Sequence, residues 1–476
     1  MSPLPAAAQK VVNSPEYQHG SWNWDVVDLK SGKTLYSQNA DKLNFLGSTT
    51  KLFTAGTYYD EFGPNGTLKT PVYATGTRSG GALKGDLTLV GSGDFILGSR
   101  GVLDGKLEFT EPDHVYAYAS PLVKPVAADP LAGLDYLAKQ VKASGITSIQ
   151  GDVLVNDKLW DAYQTKEGVL TSIMVNDNLL DILITPGAAA GDPVHLTIRP
   201  QTAFFTVTNQ ATTSAKGGAS TLTATLGTDN HIVVSGELPI GSPQQDLAQF
   251  APDPAAYARA LFIEALRRAG VTVNAPLEKA TDPLPPDSDF TAANKVASLT
   301  SPPTRVLVKL VTEISHNRGA ETLMCLLALK ARSKNCEDGL PTIINTYNKA
   351  GIKPGSVAIY DGEGSDPSSG TPAALVQWLS WIDKQPWGQT LEQGLPDIDH
   401  NGKILAKSGL SARPDIGNQP ALFVAAGQAG VMTAASGKKL VVALYALNAS
   451  YSNIAVGLTK DLPNTEFVLN QIQKES

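Results

Sequence analysis

The chain has 476 residues, 42% of them hydrophobic and 17% charged, which is ordinary for a globular protein with a large core and excludes wholesale disorder. A formal net charge of -7 gives no electrostatic footprint for nucleic acid or for an anionic membrane, so neither is expected as a partner. No apolar run reaches the roughly 18 residues that span a bilayer, and the opening MSPLPAAAQK lacks the basic-then-apolar pattern of a signal peptide. Such a start fits a cytosolic protein and the mature part of an exported one equally.

The first expected elements are a β-hairpin, SWNWDVVDL and KTLYSQNA, with Lys30-Ser31-Gly32 in its turn. A helix follows in STTKLFTAGTYYDEF, where Leu52, Ala55, Tyr59 and Phe62 recur at helical spacing and Ser48 falls at the N-cap or first turn. From about residue 72 the texture becomes β-rich and turn-rich, and 195–240 reads as its own small β unit. Three helix patterns run into glycine and then a β-branched residue, at Gly145-Ile146, Gly270-Val271 and Gly351-Ile352. A left-handed glycine that ends a helix before a strand explains each junction. The proline-rich stretch 281–307 reads as a return linker. After it come a strong helix (RGAETLMCLLALKA), a late hairpin (PALFVAAG to VVALYAL) and a terminal TEFVLNQIQ. The pattern suggests one domain built from both ends of the chain, with a long insertion.

Two cysteines, Cys325 and Cys336, could close one small disulfide loop or stand as two free thiols. Neither H-E-x-x-H nor paired C-x-x-C occurs, so no zinc site is expected. DIDHNG at 397–402 imitates the start of a calcium loop, but Ser408 stands at the twelfth position where a bidentate glutamate is required, which leaves a polar turn. G-x-S-x-G is absent, so an α/β-hydrolase has no nucleophile elbow here.

The chemistry begins at GSTTK. Ser48 and Lys51 are three apart, so on a helix they share a face and the lysine amine reaches the serine oxygen. A serine hydroxyl becomes a nucleophile when a neighbour takes its proton, and a lysine can do so if desolvation or a nearby cation favours its neutral form. S-x-x-K recurs at Ser436–Lys439, in a hairpin turn where the pair would not share a helical face. S-x-N recurs along the chain, and Ser315-His316-Asn317 is the copy that lies in a loop before a long apolar helix. His316 is expected to point away from any site, and Met324, Leu326, Leu327 and Leu329 to form helix core. Lys-Ser-Gly occurs at 30–32, before the nucleophile, and again at Lys407-Ser408-Gly409 on a strand.

S-x-x-K, S-x-N and Lys-Ser-Gly in that order, on a helix start, a loop and a strand, are the order of the penicillin-recognising acyl-serine enzymes. FLGSTTKLFTAG, GDLTLVGSGDF, VNDN at 175–178, ISHNRGAETL and DGEGSDPSSGTP together resemble the D-alanyl-D-alanine carboxypeptidase/endopeptidase family, the low-molecular-mass class C penicillin-binding proteins (peptidase family S13). The resemblance implies an α/β (α+β) fold, in which a serine β-lactamase/D,D-peptidase-like domain, an antiparallel sheet flanked by helices, is interrupted by β-rich inserted domains. The expected catalytic domain is 1–72 with 300–476, the first inserted domain 73–158 with 252–299, and the second 159–251.

Carried over, Ser48 would be the nucleophile and Lys51 its general base. Ser315 and Asn317 would relay a proton and hold the substrate amide, and Lys407 would supply positive charge. Ser408, Gly409, Leu410 and Ser411 would line the substrate, with the N–H groups of Ser48 and Leu410 as oxyanion hole. The family usually reads K-T-G-T, so Leu410 lacks the second hydroxyl and bears on how a C-terminal carboxylate is held, unless Ser411 or Arg413 compensates. The implied activity is serine-type hydrolysis of peptidoglycan stem peptides in the periplasm or another extracytoplasmic space, with β-lactams as covalent inhibitors and no cofactor or metal. A β-lactamase or esterase on the same scaffold, or a catalytically silent wall-binding protein, are the alternative readings.

Overall fold

A computed structural model describes residues 3–413 and 420–476. The chain divides into two compact units, Met1–Gly66 with Pro303–Ser476, and Thr67–Pro302. Among the described residues no helix is long and apolar enough to cross a membrane.

The first unit is organised by a five-stranded antiparallel sheet in the order Thr34–Gln38, Ser21–Asp28, Lys439–Tyr451, Ala421–Thr433, Ile404–Arg413. The two long late strands are the expected second hairpin, and the early pair is the expected first one. Asp28 accepts the amides of Lys30 and Ser31 at 3.0 and 3.1 Å, which makes the first Lys-Ser-Gly a turn. Helices Ala6–Val12 and Asp461–Glu475 cover one face through a core that includes Trp22, Leu444 and Ile472. On the other, Pro372–Asp383 packs against the central strands, and its Trp378 stacks on Phe53 of helix Lys51–Phe62 and donates to Leu52 O at 3.0 Å. Gly56 allows this approach, since a Cβ there would lie 2.6 Å from the Trp378 ring. The helix that carries Lys51 is thereby fixed to the sheet.

The second unit holds a mixed six-stranded sheet built on Lys69–Ser79 and Ala82–Val90, with further short strands from residues 179–250. Helices Ala132–Ala143 and Pro254–Arg268 end at Gly145 (φ +93°) and Gly270 (φ +79°). The strands that follow, Ser148–Ile149 and Thr272–Val273, lie side by side in parallel. Gly351 (φ +78°) also ends its helix, but no strand follows directly.

Several stretches differ from the sequence reading, helix Pro372–Asp383 among them. The proline-rich 281–307 is not a plain linker: Lys295–Thr300 pairs antiparallel with Lys69–Ser79, and Thr304–Glu313 is a helix. Alternation in Lys295–Thr300 is short, with Ala297 and Leu299 buried, and the prolines before Thr304 sit where a helix tolerates them. Helix Ala6–Val12 also lies where no element was expected.

Candidate active site

All three motifs meet in the first unit. Gly47–Thr50 makes one 3₁₀ turn and the α-helix starts at Lys51, so Ser48 precedes the α-helical turn instead of opening it. Gly47 has φ +51°, and a Cβ on it would lie 2.8 Å from Leu410 N. A Cβ on Gly409 would lie 2.1 Å from Leu46 O. The glycine of the second Lys-Ser-Gly is therefore a steric requirement, because the edge strand Ile404–Arg413 runs directly against the turn that carries Ser48.

Lys51 is fully buried. Its Nζ lies 2.6 Å from Ser48 Oγ, 2.7 Å from Asn317 Oδ1 and 3.0 Å from the Glu363 carbonyl. Asn317 opens helix Asn317–Lys330. Ser315, two residues earlier in the loop, has φ +58°. His316 is buried and its Nδ1 accepts the amide of Gly319 at 2.8 Å, so the ring caps the helix. The same helix is tied by the disulfide Cys325–Cys336 to the short turn Cys336–Gly339, which closes the choice left open by the sequence. Met324, Leu326 and Leu327 are core.

Lys407 is buried, and its Nζ donates to Ser408 O at 3.0 Å. Burial, and then the charge of Lys51, hold its ammonium well below the usual lysine range, with Glu313 opposing. Along the strand, residues alternate between faces. Leu410 packs against the core beneath helix Asp461–Glu475, as Ile404 and Ala406 do. Strand alternation sets Ser408 on that side and Lys407, Gly409 and Ser411 on the other. Arg413 is ion-paired with Asp366.

The decoy motifs resolve as turns. Lys439 of the second S-x-x-K pairs with Asp383 and Glu392 at 2.5 and 2.6 Å. In DIDHNG, Asp399 accepts the amides of Lys403 and Ile404.

Several residues that build the site were missed as contributors. Thr49 bonds Tyr445 OH at 2.7 Å and donates to Leu46 O, anchoring the Ser48 turn to the sheet. In the D-G-x-G turn, Asp361 accepts the amides of Gly364 and Ser365, while Thr54 donates to Gly362 O at 2.7 Å. A Cβ on Gly364 would lie 1.9 Å from Gly47 O, and one on Gly362 2.7 Å from Ala320 O. This turn is wedged between the Ser48 turn and the Asn317 helix, and it delivers the Glu363 carbonyl to Lys51. Glu321 is buried and accepts the Glu363 amide at 2.8 Å. Burial, with Asp361 and Glu363 nearby, pushes its carboxyl well above the usual range. Among the described residues Glu321, Asp361 and Glu363 are the carboxylates grouped closely enough to share a cation. Asp361 already accepts backbone amides, and Glu321 favours its proton, so the cluster reads as turn architecture. The one sequence signal for Glu321 was an acidic residue four after Asn317, on the same helix face in an otherwise apolar run.

Comparison with known proteins bears on the fold and the family. Penicillin-binding protein 4 (dacB) from Haemophilus influenzae superposes with a TM-score of 0.72 at 17% identity, covering 98% of both chains. Its complex with a β-lactam superposes equally well, at 18% identity over 99% of this chain and 100% of that one. The fold is thus the mixed α+β fold of a penicillin-binding protein. The sequence model of the D-Ala-D-Ala carboxypeptidase 3 (S13) family matches residues 4–455, and the chain belongs to that family. A D-alanyl-D-alanine carboxypeptidase from Actinomadura sp. (strain R39) is 26% identical over 393 residues, which span 78% of this chain and 66% of that protein.

Proposed function

We propose that the chain is a serine-type D-Ala-D-Ala carboxypeptidase/endopeptidase that cleaves peptidoglycan stem peptides through an acyl-Ser48 intermediate and is acylated there by β-lactams. The observation that carries this reading is the environment of Lys51. A neutral amine has two N–H bonds and one lone pair. In that form, giving the two N–H bonds to Asn317 Oδ1 and the Glu363 carbonyl would turn the lone pair toward Ser48 Oγ, 2.6 Å away.

In this reading Lys51 Nζ takes the Ser48 proton as Oγ bonds to the substrate carbonyl carbon, and the oxyanion forms against the N–H groups of Ser48 and Leu410. The close approach of Leu410 N to Gly47 supports that pairing. The C–N bond then breaks, the proton passes by way of Ser315 to the leaving amine, and an ester remains. Water attacks the ester with Lys51 again accepting a proton, which frees the shortened peptide and Ser48. Lys407 supplies positive charge beside the site, and Gly409 and Ser411, on the same strand face, flank the acyl chain, whereas the Ser408 side chain lies on the opposite face with Leu410. Retention of all three motifs in one constellation supports an active enzyme over a silent wall-binding protein.

The disulfide and the substrate class favour an extracytoplasmic, periplasm-like location, since such bridges persist in oxidising compartments. The second unit would comprise two inserted pieces, 73–158 with 252–299, and 159–251. Incubation with benzylpenicillin should add one penicilloyl mass to the intact protein, mapping to the Ser48 peptide. A stem-peptide analogue ending in D-Ala-D-Ala should release D-alanine. An unchanged mass together with no released D-alanine would overturn the reading.

A further inference from the structure

The lone-pair argument needs a fixed Glu363 carbonyl, and a loop carbonyl is not fixed by its own residue. The peptide units of the 361–365 turn are held from several sides. Asp361 takes the amides of Gly364 and Ser365, and Thr54 donates to the Gly362 carbonyl. The Glu363 amide is taken by a side chain from another element, Glu321 Oε1 of helix Asn317–Lys330, at 2.8 Å. That helix also begins with Asn317, the second acceptor of Lys51. One helix therefore sets two of the groups bonded to the amine, Asn317 directly and Glu363 through Glu321 four residues further on.

We propose that Glu321 is a positioning residue for Lys51: by accepting the Glu363 amide it holds the carbonyl that orients the Lys51 lone pair toward Ser48. The proposal rests on the reading of Lys51 as general base. Glu321 performs this role as a neutral acid. Its surroundings are Asp361 and Glu363 on the turn and Lys51 on the nucleophile helix, with Lys407 and Glu313 beyond Lys51. Burial and the two carboxylates disfavour its ionisation more strongly than Lys51 favours it. The neutral form also suits the chemistry, because a carboxylate here would stabilise the protonated amine and remove the base.

The test uses the whole chain and the second-order rate of acylation by a fluorescent penicillin across pH, with thermal melts on the same samples. E321L keeps the volume and loses the acceptor, and its acylation should fall roughly 10- to 100-fold, as misplacement of a reacting group costs. E321Q keeps a neutral acceptor and should recover most of that loss, with the acidic limb of the pH profile unmoved. Should E321L not fold, E321D replaces it, with the acceptor withdrawn by one methylene and the same drop expected. Wild-type acylation rates in folded E321L or E321D would overturn the proposal, as would an E321Q as slow as E321L. A limb displaced to lower pH in E321Q would show an ionised Glu321 and overturn its neutral role. Failure of the wild type to acylate at all would instead strike the underlying reading of Ser48 and Lys51.

Discussion

Lys51 and Asn317 stand 266 residues apart in the chain and 2.7 Å apart in space. The second unit is thus inserted between two halves of one constellation, and the catalytic unit closes by bringing both halves onto a single sheet.

The first prediction concerns that constellation. S48A should abolish penicilloyl addition, and K51M should slow it by about 10²- to 10⁴-fold, the range that a positioned base contributes. Intact mass spectrometry over time reads both. Rapid acylation of K51M at neutral pH would mean that another group takes the Ser48 proton.

Lys407 gives a prediction with opposite signs for stability and activity. Its folded pKa lies below that of a free lysine, so between the two values the unfolded chain binds the extra proton and ionisation favours unfolding. The penalty is full below the folded pKa and disappears as pH rises toward about 10.4. K407M should therefore melt above the wild type at neutral pH, with the gap closing as the pH approaches that value. Its acylation should fall by about 10²-fold or more, because the positive charge beside the site is gone. Melting curves from pH 6 to 10.5 and the penicillin rate check the two halves independently.

In the second unit, Arg100 donates to both oxygens of Asp113 at 3.0 Å and to Asp177 at 2.8 Å. His114 lies 2.7 Å from Asp181 and 2.9 Å from Asp177. All five side chains are buried. R100M would strand carboxylates without their counter-charge and should cost roughly 3–5 kcal/mol. Burial opposes a charge on His114, but Asp181 and Asp177 outweigh it and raise its pKa to about 10. The stabilisation is complete below the unfolded value near 6.5 and is lost as pH rises through about 10. Urea titrations at pH 6, 8 and 10 should show the wild type ahead of H114Q, with its lead narrowing at pH 10. A lead that grows with pH would contradict a charged His114.

The parts of this molecule legible in its sequence were those with a local cause. Junction glycines have a backbone reason to be where they are, and hairpins declare themselves by alternation and a turn such as Asp28–Gly32. S-x-x-K is legible because three residues of helix bring Ser48 and Lys51 together, although the 3₁₀ form of that turn has no residue signature. Strand Lys295–Thr300 was hidden because its partner lies more than 200 residues away and its own alternation is too short to outweigh flanking prolines. Glu321, Glu363 and Tyr445 were illegible as site builders for the same reason. Each bonds a residue on a distant segment, and the one local signal, an acidic Glu321 four residues after Asn317, does not say which partner it meets.

The disulfide ties the Asn317 helix to the next turn across an 11-residue separation. A loop of that size is worth about 2–3 kcal/mol by chain entropy. A C325S/C336S double variant should lose about this much in urea unfolding while still taking up penicillin. Both sulfurs are buried, so dithiothreitol should reduce the native protein slowly and the unfolded protein quickly, as thiol alkylation would report. Equal stability of the double variant and the wild type would mean that the bridge closes a loop already fixed in the unfolded chain.

Leu410 brings no hydroxyl to the position after Lys407-Ser408-Gly409, and its place on the strand decides what a threonine there could do. Its side chain packs with the core beneath helix Asp461–Glu475, on the strand face opposite Lys407. The backbone N–H beside Gly47 is the same for any residue but proline. L410T should therefore lose stability, by about 1–2 kcal/mol for the apolar surface given up. Without a concerted movement of the strand, the new hydroxyl would gain no access to a substrate carboxylate on the Lys407 side. The discriminating measurement is the ratio of kcat/KM for a stem peptide with a free C-terminal carboxylate to that for its amide. That ratio should stay within about twofold of wild type, since a hydroxyl that does not reach the carboxylate adds no charge-assisted bond. A tenfold gain for the free acid in L410T would show that the hydroxyl does reach it, and that the edge strand turns its even-numbered residues toward the site when substrate binds.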